Sequence, residues 1–208
     1  GVPGDVAAER RALLFEHDLV VDEYSAEAIA CLPEADWVVP QEEIERRTDL
    51  RHMALCSVDP PGAMDIDDAL HAIELAPGRF EVGVHIADVG HFIKEGSALN
   101  EEAARRGTTC YLVDSRVEML PKRLSQDLCS LHSGVDRLAF SVFWEMDAGA
   151  NVLSPPRFEK SVIRSAASLT YAQAQERIED KGLDDEVCER GRGSEKGRER
   201  ERVCMSKK

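Results

Sequence analysis

The chain reads as an α+β protein, a mixed or antiparallel sheet with flanking helices. Three observations predict this. The first fifty residues are acidic and read as mostly helical. Two later stretches, Phe80 to Ile86 and Phe140 to Met146, alternate apolar and other positions with the two-residue period of a strand. Pro77-Gly78 stands between two β-like runs as a hairpin signal. With 208 residues and 43% apolar composition, the chain is long enough for one domain or part of a larger one, with material for a core.

Ala7 to Phe15 mixes apolar and charged positions as a surface helix does. Ser25 to Leu32 reads as a short helix stopped by Pro33, and Gln41 to Arg47 as another. Ala54 to Val58 is a β-like run. Ala69 to Leu75 and Phe80 to Ile86 form the arms of the hairpin; Phe80, Val82, Val84 and Ile86 alternate with Glu81, Gly83 and His85, so one face should be buried. Gly96 to Arg106, rich in Ala and Glu, holds a helix. Thr108 to Val113 is a strand candidate and Leu124 to Leu131 a short helix. Val162 to Leu169 is extended or mixed, and Thr170 opens a helix with Gln173 placed to complete a capping box. Trp37 and Trp144 are expected in the core. From about Lys181 the apolar period stops; residues 182–208 mix seven acids with eight bases and several glycines, the composition of a disordered tail.

One stretch concentrates the chemistry. Asp59, Asp65, Asp67 and Asp68 fall within ten residues, around the turn signal Pro60-Pro61-Gly62. The turn can fold Asp59 back onto Asp65. If Asp65 to Asp67 is extended, those two side chains share a side, and Asp68 points the other way unless a bulge or an ion re-aims it. Two like charges ~4 Å apart repel by about 1 kcal/mol in water and ~4 kcal/mol at an effective dielectric near 20, so something positive belongs among them. Oxygen-only ligands favour a hard cation, and Mg²⁺ is commonly held by carboxylates, waters and a substrate phosphate. An EF-hand fails: counting from Asp65, the sixth position is Leu70 rather than Gly and the twelfth Ala76 rather than Glu.

The bulk numbers narrow the classes. A net charge of −14 argues against a bare electrostatic nucleic-acid binder and leaves a metal-bridged phosphodiesterase open. No signal peptide and no apolar run near the ~18 residues of a membrane helix are visible, so no membrane partner is expected. The chain begins at Gly1 rather than Met and is read as a segment or a mature product. Six scattered cysteines without a C-x-x-C pair suit a reducing compartment. Cys129-x-x-His132 has a ligand-like spacing without a second half. His85 and His91 lie near Asp88, but no motif places a nucleophile, so His85 and Asp88 read as sheet and turn residues. Arg105 and Arg106 beside Gly107 read equally as phosphate contacts or as a solvated helix end.

Asp59-Pro60-Pro61-Gly62-Ala63-Met64-Asp65-Ile66-Asp67-Asp68-Ala69-Leu70-His71 resembles the signature of the RNase II/RNase R family of 3′→5′ exoribonucleases, whose catalytic domain is the RNB domain. The stretches 81–89, 106–112, 127–131, 136–141 and 168–172 agree with it, and the flavour is that of the eukaryotic, exosome-associated branch. The resemblance covers roughly residues 1 to 180 and implies a partial RNB domain. Residues 1–48 would be the partly helical approach from cold-shock domains, 49–180 the N-terminal part of the catalytic domain, and 181–208 a tail that departs from the family. The family's later elements, including an arginine at the scissile phosphate, have no counterpart.

By the same resemblance, Asp59, Asp65, Asp67 and Asp68 hold two Mg²⁺ ions (Mn²⁺ as a substitute), and Asp67 is the acid whose loss should hurt chemistry most. Tyr111 stacks on the 3′-terminal base, and Tyr171 lies on the path where RNA is told from DNA. The implied reaction is hydrolysis of single-stranded RNA from its 3′ end to nucleoside 5′-monophosphates, impaired in this chain. The implied partners are RNA and exosome core subunits, in nucleus or cytoplasm. The rival readings are a catalytically inactive fragment or isoform that binds RNA or the exosome, and a generic acidic metal-binding module.

Overall fold

The structure, a computed structural model, describes residues 4–19, 22–113 and 115–179, so the expected tail lies outside the described residues. Its helices are α1 (Val6–Glu16), α2 (Ala26–Ile29), α3 (Gln41–Arg46), α4 (Val89–Phe92), α5 (Ala98–Arg106) and α6 (Tyr171–Ile178). Its strands are β1 (Thr48–Asp49), β2 (Cys56–Asp59), β3 (Asp68–Ala76), β4 (Arg79–Ala87), β5 (Cys110–Tyr111), β6 (Arg116–Val117), β7 (Asp136–Asp147), β8 (Arg157–Arg164) and β9 (Ala167–Thr170). A π-helical turn, Arg123–Leu128, stands where a short helix was expected. The chain folds as two compact units: one from the segments up to Ala35 and Gly90–Ser125, the other from Asp36–Val89 and the segment from Gln126 on.

Local chemistry sets the helix starts. Asp5, Ser25 and Ser97 each accept hydrogen bonds from backbone N–H groups of the first turn of α1, α2 and α5, supplying partners that the helix itself cannot. Thr170 and Gln173 form the expected capping box of α6. At the hairpin tip Gly78 takes a φ of +75°, a conformation that disfavours side chains.

The second unit holds a seven-stranded mixed sheet in the order β1-β8-β7-β4-β3-β2-β9. The four central strands, β8, β7, β4 and β3, pair antiparallel, while β1 runs parallel to β8 and β9 parallel to β2. Along β4 and β7 the fully buried stripe is Gly83, His85 and Ala87 with Ala139, Ser141 and Phe143. The apolar stripe on the opposite face is more open: Ile86 and Phe140 are exposed and Val82, Val84, Val142 and Trp144 half-buried. Alternation tells which residues share a face; it does not tell which face meets more protein. Trp144 is half-buried rather than a core residue for the same reason, and Trp37, outside the sheet, is half-buried too. Near Leu138 and Val162 both faces close.

In the first unit Leu14, Ala28, Phe92, Leu99, Ala103 and Leu124 are buried. The strand expected over Thr108 to Val113 is the short β5, paired with β6. Among the described residues no helix is long and apolar enough to cross a membrane.

Candidate metal centre

β2, the strand next to the edge strand β9, ends at Asp59, which pairs in register with Thr170 of β9. Pro60 to Ala63 then form a tight turn, with the Ala63 N–H donating to the Pro60 carbonyl at 3.2 Å. Gly62, at φ +82°, occupies the position of a type II turn that requires the left-handed region. The chain next runs beside residues 130 and 131. The Ile66 N–H donates to Ser130 Oγ at 2.9 Å, Ser130 Oγ donates to the Met64 carbonyl at 2.8 Å, and the Leu131 N–H donates to the Ile66 carbonyl at 2.8 Å. Ile66 is buried and its neighbours Asp65 and Asp67 are not, so the loop turns its one apolar side chain inward and its acids away. Asp68 opens β3.

The electrostatics of this loop are one-sided. The Asp67 carboxyl is pushed above its ordinary value, first by desolvation and then by repulsion from Asp65, Asp68 and Asp59, in that order. One carboxylate oxygen of Asp59, Oδ2, is buried without a hydrogen-bond partner. A buried anionic oxygen with no donor, on a loop with three further acids, is what a hard cation satisfies, so the donor set fits Mg²⁺ or Mn²⁺. As the side chains stand, no three acidic, histidine or cysteine groups among the described residues gather tightly enough to hold an ion. Loading would therefore have to draw the carboxylates together against their own repulsion.

The other residues singled out by sequence fall into three groups. Tyr171 is the first residue of α6, exposed, and follows directly on the partner of Asp59 in the sheet. Tyr111 stands on β5 in the first unit, also exposed. Arg106 is not a phosphate ligand in waiting: its guanidinium lies 4.0 Å over the Tyr24 ring and donates to Glu102 and to the carbonyls of Asp22 and Glu118. Arg105 is half-exposed and pairs with Glu102 and Asp22.

His85 and Asp88 are sheet and turn residues as expected, but they do not bond each other. His85 joins His71 and Ser141, while Asp88 pairs with Arg47 at 2.8 Å and Lys160 at 3.2 Å. Cys129 and His132 make no zinc pair: burial pushes the Cys129 thiol up to about 12, and His132 Nε2 donates to the Gln126 carbonyl at 2.9 Å. Sequence reasoning counted Asp127, Ser130 and Arg137 among the stretches that agree with the family but gave them no role. No spacing rule marks them, because their role is set by tertiary contact.

The profile of the RNB domain matches residues 47–196. The chain belongs to the RNB domain family. This RNB chain is 52% identical over 193 residues to the mouse exosome complex exonuclease RRP44, a match covering 93% of the chain and 20% of the relative. Its fold resembles Mycoplasma genitalium RNase R in complex with ribose-methylated single-stranded RNA. That likeness has a TM-score of 0.78 at 26% identity and covers 90% of this chain and 29% of the other. It also resembles the structure of yeast Ssd1, a pseudonuclease, with a TM-score of 0.72 at 21% identity over 88% and 23% of the two chains, a likeness of fold alone. The RNB chain thus spans about a fifth of the length of the curated relatives it matches.

Proposed function

We propose that this chain carries the metal-binding acids of a 3′→5′ exoribonuclease that hydrolyses single-stranded RNA to nucleoside 5′-monophosphates. The observation that carries the reading is the acidic loop: Asp59 keeps a buried oxygen without a donor, and desolvation followed by three neighbouring carboxylates raises the proton affinity of Asp67. Asp59, Asp65, Asp67 and Asp68 would hold the divalent ions, Mg²⁺ or Mn²⁺. Such ions, when bound, supply an activated water and neutralise the charge that develops on the phosphate. The protein's own part is to keep the four acids on one loop and to present aromatic rings to the RNA. The exposed rings of Tyr171 and Tyr111 are suited to base stacking, worth ~1–3 kcal/mol per base and indifferent to sequence. Likeness to an exosome exonuclease supports exosome core subunits as partners and a nuclear or cytoplasmic setting.

Catalysis needs its groups held within about 0.5 Å of working geometry by supporting shells. The acids here do not yet converge, so the chain on its own should release little or no mononucleotide from poly(A) in Mg²⁺; robust release would overturn that expectation. Calorimetry with Mn²⁺ on the chain and on Asp67→Asn tests the site itself. Binding weakened tenfold or more by the substitution is the expected outcome, and equal binding by both proteins would sink the reading. The unconverged acids also favour a second reading, a non-catalytic module for RNA or the exosome. RNA binding by the chain that persists in EDTA and in Asp67→Asn would favour that module.

A further inference from the structure

The acidic loop is held from behind by one hydroxyl. Ser130 is fully buried, and its Oγ accepts from the Ile66 N–H at 2.9 Å while donating to the Met64 carbonyl at 2.8 Å. Those two groups flank Asp65 in the chain, so a single atom pins the backbone on both sides of an acid and one residue short of the next. Ser130 is itself fixed. Its N–H donates to the Asp127 carbonyl at 3.1 Å, and its carbonyl accepts from Arg137 Nε at 2.9 Å. The same Arg137 guanidinium pairs with the Asp127 carboxylate at 3.2 Å. The adjoining Leu131 N–H holds the Ile66 carbonyl, and Leu131 is fully buried.

We infer that Ser130 is a positioning residue: its hydroxyl fixes the spacing of Asp65 and Asp67 for a divalent ion. The inference rests on the metal-binding reading of the loop. A hydroxyl on a single carbon is the shortest side chain that can accept and donate through one atom. Alanine would leave the buried Ile66 N–H without its partner and the part-buried Met64 carbonyl without its donor, and the loop can relieve both by moving away. Without the hydroxyl, an incoming ion would first have to rebuild the loop, and groups that orient metal ligands typically change affinity by 10–100-fold.

The test is Mn²⁺ affinity, by calorimetry or by the electron paramagnetic resonance of free Mn²⁺, together with the melting temperature of the ion-free chain. Ser130→Ala should weaken Mn²⁺ at least about tenfold and Ser130→Thr, which keeps the hydroxyl, no more than about threefold. Ser165→Ala is the control for structural loss: Ser165 is also buried, and its hydroxyl donates to the Ala167 carbonyl rather than to the acidic loop. It should lower the melting temperature comparably and leave Mn²⁺ affinity unchanged.

If Ser130→Ala does not fold, amide exchange of the wild-type chain decides. By linkage, an ion that favours the clamped loop must slow exchange of the Ile66 amide, and Mg²⁺ saturation that leaves this exchange unaltered overturns the inference. Mn²⁺ binding lost in Asp67→Asn but intact in Ser130→Ala would also overturn it. Equal binding by wild type and Asp67→Asn would overturn the metal reading beneath it.

Discussion

The sheet of the second unit carries two concentrations of polar chemistry, and they are built on opposite terms. One is the acidic loop. The other is a buried row of side chains that crosses four neighbouring strands. His71 Nδ1 of β3 meets His85 Nε2 of β4 at 2.8 Å, His85 Nδ1 meets Ser141 Oγ of β7 at 2.7 Å, and Ser141 Oγ meets Ser161 Oγ of β8 at 2.6 Å. Each shared bond in the row uses one donor and one acceptor, so its inner members are satisfied without any net charge. The loop has charge of one sign and an oxygen left over. The row leaves one ring nitrogen over as well, His71 Nε2, which is buried and 3.7 Å from Glu81, so the two clusters differ in charge: the row is neutral and the loop carries only negative groups.

The two clusters should respond to acid in opposite directions, and the largest effect belongs to the row. Burial holds His71 down at about 4, and burial with the neighbouring His71 holds His85 at about 3. The unfolded chain protonates each near 6.5, whereas the fold refuses the proton until much lower pH. Stability should therefore fall as pH drops below about 6.5, by about 1.4 kcal/mol per unit for each histidine. Urea unfolding at intervals from pH 7 to 4 reads this loss; a flat profile would show histidines that titrate as if exposed. Asp67 acts with the other sign. Its folded-state value is raised, so the ion-free fold gains from this carboxyl as pH falls.

Crowding the row is next in size. A Cβ on Gly83 would lie 2.1 Å from His71 Cε1 and 2.6 Å from Nδ1, and the imidazole, bonded to His85, has no room to yield. Gly83→Ala should cost about 3 kcal/mol or more, read from chemical denaturation. A melt within experimental error of wild type would mean that the His71 ring can swing out of the sheet.

The loop predicts smaller effects. Mg²⁺ at ten times its dissociation constant should add about 1.4 kcal/mol to the wild-type chain and nothing to Asp67→Asn, as seen by thermal melts. Without the ion, Asp67→Asn should stabilise the fold, by no more than about 1 kcal/mol because water screens an exposed carboxylate. A destabilised Asp67→Asn in EDTA would reveal that the carboxylate has a structural partner.

What the sequence made legible was local. The capping box of Thr170 and Gln173, the turn at Pro77-Gly78 and the spacing of the four aspartates each sit within a few residues, and each has a rule. The missed pieces have distant causes. β1 is two residues long and exists because Thr48 and Asp49 find Ser161 and Val162. The face of β4 that is buried was not readable from alternation, since a histidine tolerates burial when its neighbours across the sheet are another histidine and a serine. The clamp at Ser130 is a contact between separate segments, and nothing near residue 65 announces it.

The pairing of β2 with β9 has a consequence for biosynthesis. Asp59 lies beside Thr170, and the two strands are separated by more than half the chain. A ribosome delivers all four aspartates well before Thr170, and the strand that pairs with the first of them is complete only once residue 170 has emerged. Any product that stops short of that point would retain every acid and still lack the wall against which Asp59 is seated.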